Sequence, residues 1–577
     1  LGPSGEKEGP YNWAPPAYWY DTTHFDPSDS TRTNVGGAWG FDSEASPGDT
    51  VPTLDSLNRF LSADDLAQLW QDPNAQIYHN DPDEANNDGG YQFGGLQNED
   101  KALTARYGPW TPKPTTATGD TTSGSSTISN VSLTSGLNST FLVGEPVTGA
   151  GIPSGTTITS LTLAAATGNI TAGSNTITNV NVTAGTFAVG QQITSIVSPN
   201  PFPGGSTITA INGSTWTISK PAIVNATSVS GGPASLTLSQ PATATASGVT
   251  LSGPTPVALS GEEGLGLGQW VEESQALNYE TQRAIFEAYI DHSANTPTPS
   301  TGIDYWQLNK GWPTLLWALY NNDYDQAGSY FGAQEANKTL HVLYAYDNNT
   351  VTVDNLSGTT QSGLSVESKV YGFDGSVLDD QTASNIALPS QGVQNAVITP
   401  NVPAATTPPQ PAKTYFIELI LRQNGHAVDR NVYWLSTQHD VSIPNGDASP
   451  ATMPYADLTQ LQSLPRATVA TKTATGGTGN NRFTDVTLTN TGNTVAFLLR
   501  ADLRRDCPDS QCPPTGPLSL PDNEIRPVTY SDNDITLWPG ESQTIRISYA
   551  QSQLHGNSPD VSISGWNLPA STVSASG

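Results

Sequence analysis

The residues best placed to do chemistry lie between positions 40 and 50. In GFDSEASPGD (40–49) a glycine and an aromatic residue lead into a short strand, Glu44 stands at its end, and a turn rich in Ser, Pro and Gly follows. A carboxylate projected from a strand end into a cleft can attack an electrophilic carbon or move a proton. Cleavage of a glycosidic bond through a covalent intermediate needs such a group as nucleophile, with a second carboxyl about 5 to 5.5 Å away as proton donor and then base. Side chains two apart on a strand share a face, so Asp42 and Glu44 are expected on one side of it. Asp42 then either joins the pocket or turns into a hydrogen bond beneath it. A glutamate beside glycines is also an ordinary loop residue, and the segment by itself fixes no activity. Phosphate-loop, metal-ligand and Ser-His-Asp patterns do not stand out. His24, His79, His292, His341, His426, His439 and His555 are dispersed along the chain, so no metal or cofactor is expected.

The elements that must hold such a site are α/β in the first 112 residues. LDSLNRFLS (54–62) and SADDLAQLWQD (62–72) place apolar residues three and four apart, with Ser62 as an N-cap. From about 113 to 260 the composition turns to Thr, Ser, Gly, Ala and Val with almost no charge, which reads as an inserted module. It repeats itself: STISNV (126–131) recurs as NTITNV (175–180), VGEPVT (143–148) as VGQQIT (189–194), and GTTIT (155–159) as GSTIT (205–209). Short strands and Gly/Pro turns in two copies imply one small β domain, serving as a spacer or as a polysaccharide-binding appendage. Helical spacing returns at 272–293, where Ala276, Tyr279, Ala284, Phe286 and Ile290 form an apolar face, and GIDYWQLN (302–309) reads as a strand. Alternating strands from about 338 onward indicate two β-sandwiches, split near 455–465.

At 577 residues the chain exceeds one core and should hold three or four units. Lys and Arg total 22 against 52 Asp and Glu, a net charge of −30, so nucleic acid is an unfavoured partner. The acidic field suits cationic substrates or acidic surroundings, or simply solubility. Charged residues make up only 13% while Gly (54) and Pro (44) abound, a usage typical of β-rich secreted or cell-surface proteins. Cys507 and Cys512, in CPDSQC, can bridge a short turn in an oxidising compartment. No apolar run reaches 18 residues, so no membrane span is expected, and Leu1 is expected to be a processed or truncated end. Sequons at Asn130 and Asn348 arise readily in Thr-rich sequence.

Six collinear segments add a resemblance. GPYNWAPPAYWYD (9–21), GFDSEASPGDTVPTLDSLNRF (40–60), YWQLNKGWPTLLWALYNND (305–323), YFGAQEANKTLHVLYAYDNNTV (330–351), RNVYWLST (430–437) and LWPGESQT (537–544) together resemble the C-terminal portion of glycoside hydrolase family 2 exo-β-D-glucosaminidases. The resemblance implies a multidomain α/β plus all-β chain. Residues 1–112 would be the late part of a (β/α)8 TIM barrel, 113–260 a Thr/Ser/Gly-rich β-repeat insertion and 261–337 the barrel's end, followed by immunoglobulin-like β-sandwiches at 338–460 and 461–577.

By this resemblance Glu44 is the nucleophile of a retaining exo-β-glycosidase, at the C-terminal end of barrel strand 7, and GIDYWQLN is strand 8. Trp306 and Trp312 would lie near the pocket, against a pyranose face or in barrel packing, and Tyr18 and Trp19 in the segment Tyr11 to Tyr20 would wall the cleft or pack its loops. Asp42 departs from the family's usual Asn and is a candidate to favour a protonated amino sugar. The family's general acid/base has no counterpart here, so an N-terminal segment of the same precursor is the expected partner and the amino-sugar polysaccharide or oligosaccharide the substrate. Rival expectations are another family 2 exo-glycosidase, such as a β-mannosidase, and a non-catalytic surface or matrix protein on the same scaffold.

Overall fold

The computed structural model describes residues 6–7, 13–21, 37–46, 48–62, 65–66, 69, 96–108, most of 115–253, 267–295, 299–441 and 455–575, apart from 63–64, 316, 509 and 519. Strands β1 (Glu6–Lys7) and β2 (Gly40–Ala45) run parallel, with Glu6 opposite Phe41. A helix follows at Leu54–Phe60, where the sequence pattern placed one; Thr53 caps it by accepting from Ser56 N at 3.3 Å. Ser62 caps the next turn, its Oγ accepting from Asp65 N at 3.1 Å while Asp65 accepts from Ser62 N. The rest of the expected helix 62–72 falls mostly outside the described residues, as do Tyr11, His24 and His79.

After a helix at Leu96–Tyr107 the chain enters the Thr-rich segment. Its strands are β3 (Thr115–Thr121), β4 (Thr127–Ser135), β5 (Thr148–Gly149), β6 (Ile158–Ile170), β7 (Thr176–Ala184), β8 (Ile208–Asn212), β9 (Thr215–Ile218), β10 (Ala226–Leu238) and β11 (Ala246–Gly253). They form one nine-stranded sheet in the order β5-β11-β3-β4-β10-β6-β7-β9-β8. The repeat is visible in two hairpins. In the β3–β4 turn Ser125 Oγ accepts from Thr127 N at 3.0 Å, and 49 residues on, in the β6–β7 turn, Ser174 Oγ accepts from Thr176 N at 3.1 Å. Short hydroxyl side chains bonding a backbone N–H two residues ahead stabilise such turns, so the same Ser-x-Thr spelling gives the same fold twice. VGQQIT (189–194) lies outside the described residues. Ile170, Ile177, Ile208, Trp216 and Ile218 make a small core of the segment's own.

The helix Leu267–Asp291 then leads to β12 (Ser300–Tyr305), which pairs parallel with β2, Tyr305 opposite Ala45. The parallel sheet is thus β1-β2-β12 with β2 central. The helix is buried nearly all round, including Glu273, Asn278, Glu280, Gln282, Arg283 and Glu287. A single apolar face, as its spacing implied, therefore under-describes it, and Phe286 and Ile290 of that face are only partly buried. Its neighbour, the helix Gly328–Ala336, approaches so closely that a Cβ at Gly332 would collide with Tyr279 O.

Two sandwiches follow. The first pairs β13 (Leu340–Ala345), β14 (Thr350–Asn355) and β17 (Gly392–Ile398) in one sheet. Facing it are β15 (Gln361–Gly372), β16 (Val377–Leu388), β18 (Thr414–Gln423) and β19 (His426–Ser436), in the order β16-β15-β18-β19. The second has Val469–Thr478, Asn481–Asn490, Ser542–Ala550 and Thr529–Tyr530 in one sheet. Ile535–Leu537, Ala496–Asp506, Ser558–Gly565 and Leu568–Ser574 form the other. Cys507 and Cys512 are joined in a disulfide in the loop after Asp506. The chain is thus mostly β with few helices, and no helix among the described residues is long and apolar enough to cross a membrane.

Burial without a countercharge shifts one helix residue far. Glu273 is 1% exposed, and burial pushes its carboxyl up to about 8 from an ordinary value near 4.5, opposed only by hydrogen bonds from Gln269 and Gln462. The folded state therefore keeps this proton where the unfolded state has lost it. Its stabilising contribution is complete below about pH 4.5 and is lost as pH rises through about 8. Glu273→Gln should flatten the fall of melting temperature between those pH values. Identical slopes for variant and parent would refute this assignment.

Candidate active site

Glu44 stands next to last in β2, partly exposed, and the strand ends at Ala45. The neighbouring strand ends at the same level: Trp306 N donates to Ala45 O at 2.9 Å, so the residues following β12 leave the sheet beside Glu44. The two C-terminal strand ends thus bring Glu44 and Trp306 together from positions far apart in sequence. Trp306 is 44% exposed and Trp312 67%, with Leu308 and Tyr324 also exposed along the same loop. Neither indole is taken up in core packing. Lys310 sits over Trp317 at 5.2 Å, a cation–π contact that holds the loop's base.

Asp42 shares the strand with Glu44 but not its setting. Its side chain has no exposed surface; Oδ2 accepts from Tyr289 OH at 3.1 Å and Oδ1 from Glu44 N at 3.3 Å. Of its two expected placements the structure shows the buried hydrogen bond, and the residue fixes the strand end rather than facing an opening. The cause is the long helix, whose Tyr289 packs over β2 and brings its hydroxyl to the carboxylate. Burial, and then the Asp42 charge, raise the Tyr289 phenol well above its ordinary range, so it stays the donor. Sequence spacing gave no signal for this tyrosine.

Tyr18 and Trp19 do not wall a cleft. They lie on the short helix Pro16–Tyr20 and are 3% and 0% exposed. Their rings meet edge to face at 5.4 Å, inside a core with Ala45, Ala284, Ile285 and Ala288. Loop packing wins here because the Pro-flanked helix is pressed between the sheet and the long helix, a large apolar burial that an exposed wall would forgo.

The strand carrying Glu44 is anchored from behind. The helix Leu54–Phe60 docks on the second sandwich: Asn58 Oδ1 accepts from Leu518 N and its Nδ2 donates to Thr515 O, both at 2.8 Å. Arg504 pairs with Asp55 at 2.6 Å and Arg59 with Asp323 at 2.7 Å. The long helix is tied to the first sandwich by a buried network. Glu287 accepts from Asn431 and Tyr433 at 2.8 Å each and lies 3.0 Å from His341 Nε2, whose Nδ1 meets Asp429 at 2.7 Å. Buried polar contacts of this kind specify which surfaces meet, and here they fix the sheet's orientation against both sandwiches.

A family model described as the exo-beta-D-glucosaminidase Ig-fold domain matches residues 448–515 and 518–568, the second sandwich with the segment leading into it. An exo-beta-D-glucosaminidase of Streptomyces avermitilis is 28% identical over 580 residues, covering 100% of this chain and 43% of that protein. One of Amycolatopsis orientalis is 27% identical, covering 100% of this chain and 38% of its own length. The crystal structure of the Amycolatopsis orientalis exo-chitosanase CsxA superposes with a TM-score of 0.60 at 26% identity, over 98% of this chain and 45% of that one. A mannosylglycoprotein endo-beta-mannosidase of Lilium longiflorum is 24% identical but covers only 52% of this chain. The chain therefore spans less than half the length of these exo-β-D-glucosaminidases, and the resemblance to them extends over all of it.

Proposed function

We propose that this chain is the C-terminal part of a retaining exo-β-D-glucosaminidase that releases glucosamine from the non-reducing end of chitosan or chito-oligosaccharides. The observation that carries this reading is the carboxylate of Glu44 at the C-terminal end of a parallel strand, beside the exposed Trp306, in a chain similar to exo-β-D-glucosaminidases from end to end. In this reading β1, β2 and β12 are the last three strands of a (β/α)8 barrel, whose chemistry sits at the C-terminal strand ends. Parallel sheets are covered on both faces, whereas Thr301 and Asp304 of β12 are exposed. An N-terminal segment of the same precursor would complete the barrel and cover that strand.

Glu44 then attacks the anomeric carbon as the glycosidic C–O bond breaks, and a carboxylic acid from the N-terminal segment protonates the leaving oxygen. That group, now a base, takes a proton from water, whose oxygen displaces Glu44 with a second inversion. Asp42 and Tyr289 hold the strand end, and the Trp306 indole offers a face to the pyranose. The net charge of −30 draws a protonated amino sugar toward the protein. The disulfide and the composition favour secretion. The insert serves as a spacer in this reading: its Trp216 is buried against Phe187 at 4.8 Å and offers no platform to a sugar ring.

The test uses protein containing both this chain and the N-terminal segment, with p-nitrophenyl β-glucosaminide and β-mannoside as substrates. The glucosaminide should be preferred by roughly 10²-fold in kcat/KM, the scale of discrimination from a few pocket contacts. A mannoside preference would transfer the chain to the rival specificity, and no hydrolysis by well-folded protein would leave only the scaffold.

A further inference from the structure

At the C-terminal end of the long helix, three ligand-type side chains converge away from Glu44. Asp291 and His292 are each 1% exposed, and Asp347, on the turn between β13 and β14, is at the surface. One atom of each lies within 4.8 Å of the other two: His292 Nε2 is 3.9 Å from Asp291 Oδ2 and 3.8 Å from Asp347 Oδ2.

The hydrogen bonds around the trio point inward. His292 Nδ1 lies 2.8 Å from Ala38 O, a carbonyl that can only accept, so Nδ1 carries a proton and Nε2 is the nitrogen that faces the two carboxylates, with a lone pair in the neutral ring and a second proton in the imidazolium. Asp291 Oδ1 is occupied by Thr352 Oγ1 at 2.5 Å and Asn395 Nδ2 at 3.2 Å. Oδ2 of Asp291 and Nε2 of His292 are buried with no hydrogen-bond partner. Nε2 and one oxygen of each carboxylate thus face one another at 3.8 to 3.9 Å, beyond hydrogen-bond distance. Among the described residues no lysine or arginine pairs with either carboxylate. An imidazole whose other nitrogen is held by a carbonyl, and a carboxylate whose second oxygen is hydrogen-bonded, are the outer-sphere pattern of metal ligands.

A second trio in the molecule shows the contrast. Glu335, His341 and Asp429 are equally close, but both His341 nitrogens are hydrogen-bonded and Lys338 pairs with Glu335 and Asp429, so that cluster holds its own cation.

We propose that Asp291, His292 and Asp347 bind one divalent cation of the zinc class, with water completing the coordination. The imidazole donor selects this class over calcium and magnesium, which take oxygen ligands. Bonds of about 2.0 to 2.2 Å require the ligands to draw together by a few tenths of an ångström, and Asp347 on its exposed turn is free of the packing that holds the other two. The ion would clamp the helix end, the first sandwich and Ala38, two residues before the strand that bears Glu44.

The experiment is Zn2+ titration of untagged, chelator-treated protein, with Co2+ as an optical probe. One Zn2+ per chain, a visible Co2+ absorption band, and at least a tenfold loss of affinity in Asp347→Asn, which leaves the buried pair intact, are expected. His292→Gln should abolish the Co2+ band. Folded protein that binds no Zn2+, or binding unchanged in Asp347→Asn, overturns the site. So does binding that is lost in Glu335→Gln instead, or a preference for Ca2+.

Discussion

Glu44→Ala, in protein that contains the N-terminal segment, should lower kcat on an aryl β-glucosaminide by about 10⁶-fold, the scale on which removal of an attacking nucleophile acts in other enzymes. Melting temperature should barely change, because Glu44 is partly exposed at a strand end. A loss of this size also follows from damage to the strand, so the decisive arm adds azide. The truncated side chain leaves a space on the α face of the sugar, where a small anion can attack the anomeric carbon while the acid still protonates the leaving group. Turnover should recover, and the product should be the α-glycosyl azide, formed by a single inversion. A β-configured product, or a variant as active as the parent, would remove Glu44 from the nucleophile's role. Asp42→Asn supplies the contrast: the amide oxygen can still accept from Glu44 N while Nδ2 donates to the Tyr289 hydroxyl, and the change should leave the product's configuration untouched.

What could be read from the sequence follows from the range of the interactions involved. The cap at Ser62, the STISNV and NTITNV repeats, and the Glu44 strand with its following turn are local, set by neighbours within a few residues. The sandwich strands were legible in existence but not in burial. β18 buries Ile417 and Leu419 in the first sandwich while Phe416, on its other face, joins the core shared with the second. Alternation therefore could not reveal that both faces are covered. The polar pairings were illegible for the same reason in stronger form. Asp42 meets Tyr289 across 247 residues, and His292 meets Asp347 only once β13 and β14 form a hairpin beside the helix. Spacing along the chain says little about which partners a dispersed histidine meets, since the tertiary fold assembles them. Tyr18 and Trp19 failed as cleft residues because composition marks aromatics as capable of stacking without saying which ones the core has claimed.

The long helix makes the same point energetically, and Arg106 is where it can be tested. Arg106 is 1% exposed, near the end of the helix Leu96–Tyr107. Its guanidinium pairs with Glu280 of the long helix and holds both oxygens of Asp440, at 2.5 and 2.6 Å, in the segment leading to the second sandwich. Asp440 in turn accepts from Ala456 N at 2.8 Å, and the Arg106 carbonyl accepts from Leu458 N at 2.7 Å. One cation therefore joins the helical part of the chain to the junction of the sandwiches. Arg106→Met keeps the aliphatic stem and removes the charge, leaving two carboxyl groups desolvated; breaking a buried pair in this way costs about 3 to 5 kcal/mol. Burial already raises the Glu280 carboxyl above its ordinary value and Arg106 holds it down, so without the arginine it rises further. A folded-state value above the unfolded one means stability lost as pH rises, so the variant's deficit should be larger at pH 8 than at pH 5. Neutralising the stranded acids in Arg106→Met/Glu280→Gln/Asp440→Asn should recover most of the loss, since an uncharged cluster of the same volume bears little desolvation cost. Urea unfolding midpoints of the three proteins at both pH values measure this. A single variant within 1 kcal/mol of the parent at pH 8, or a triple variant no better than the single, would show that packing around the stem, and not the buried charge, makes this junction.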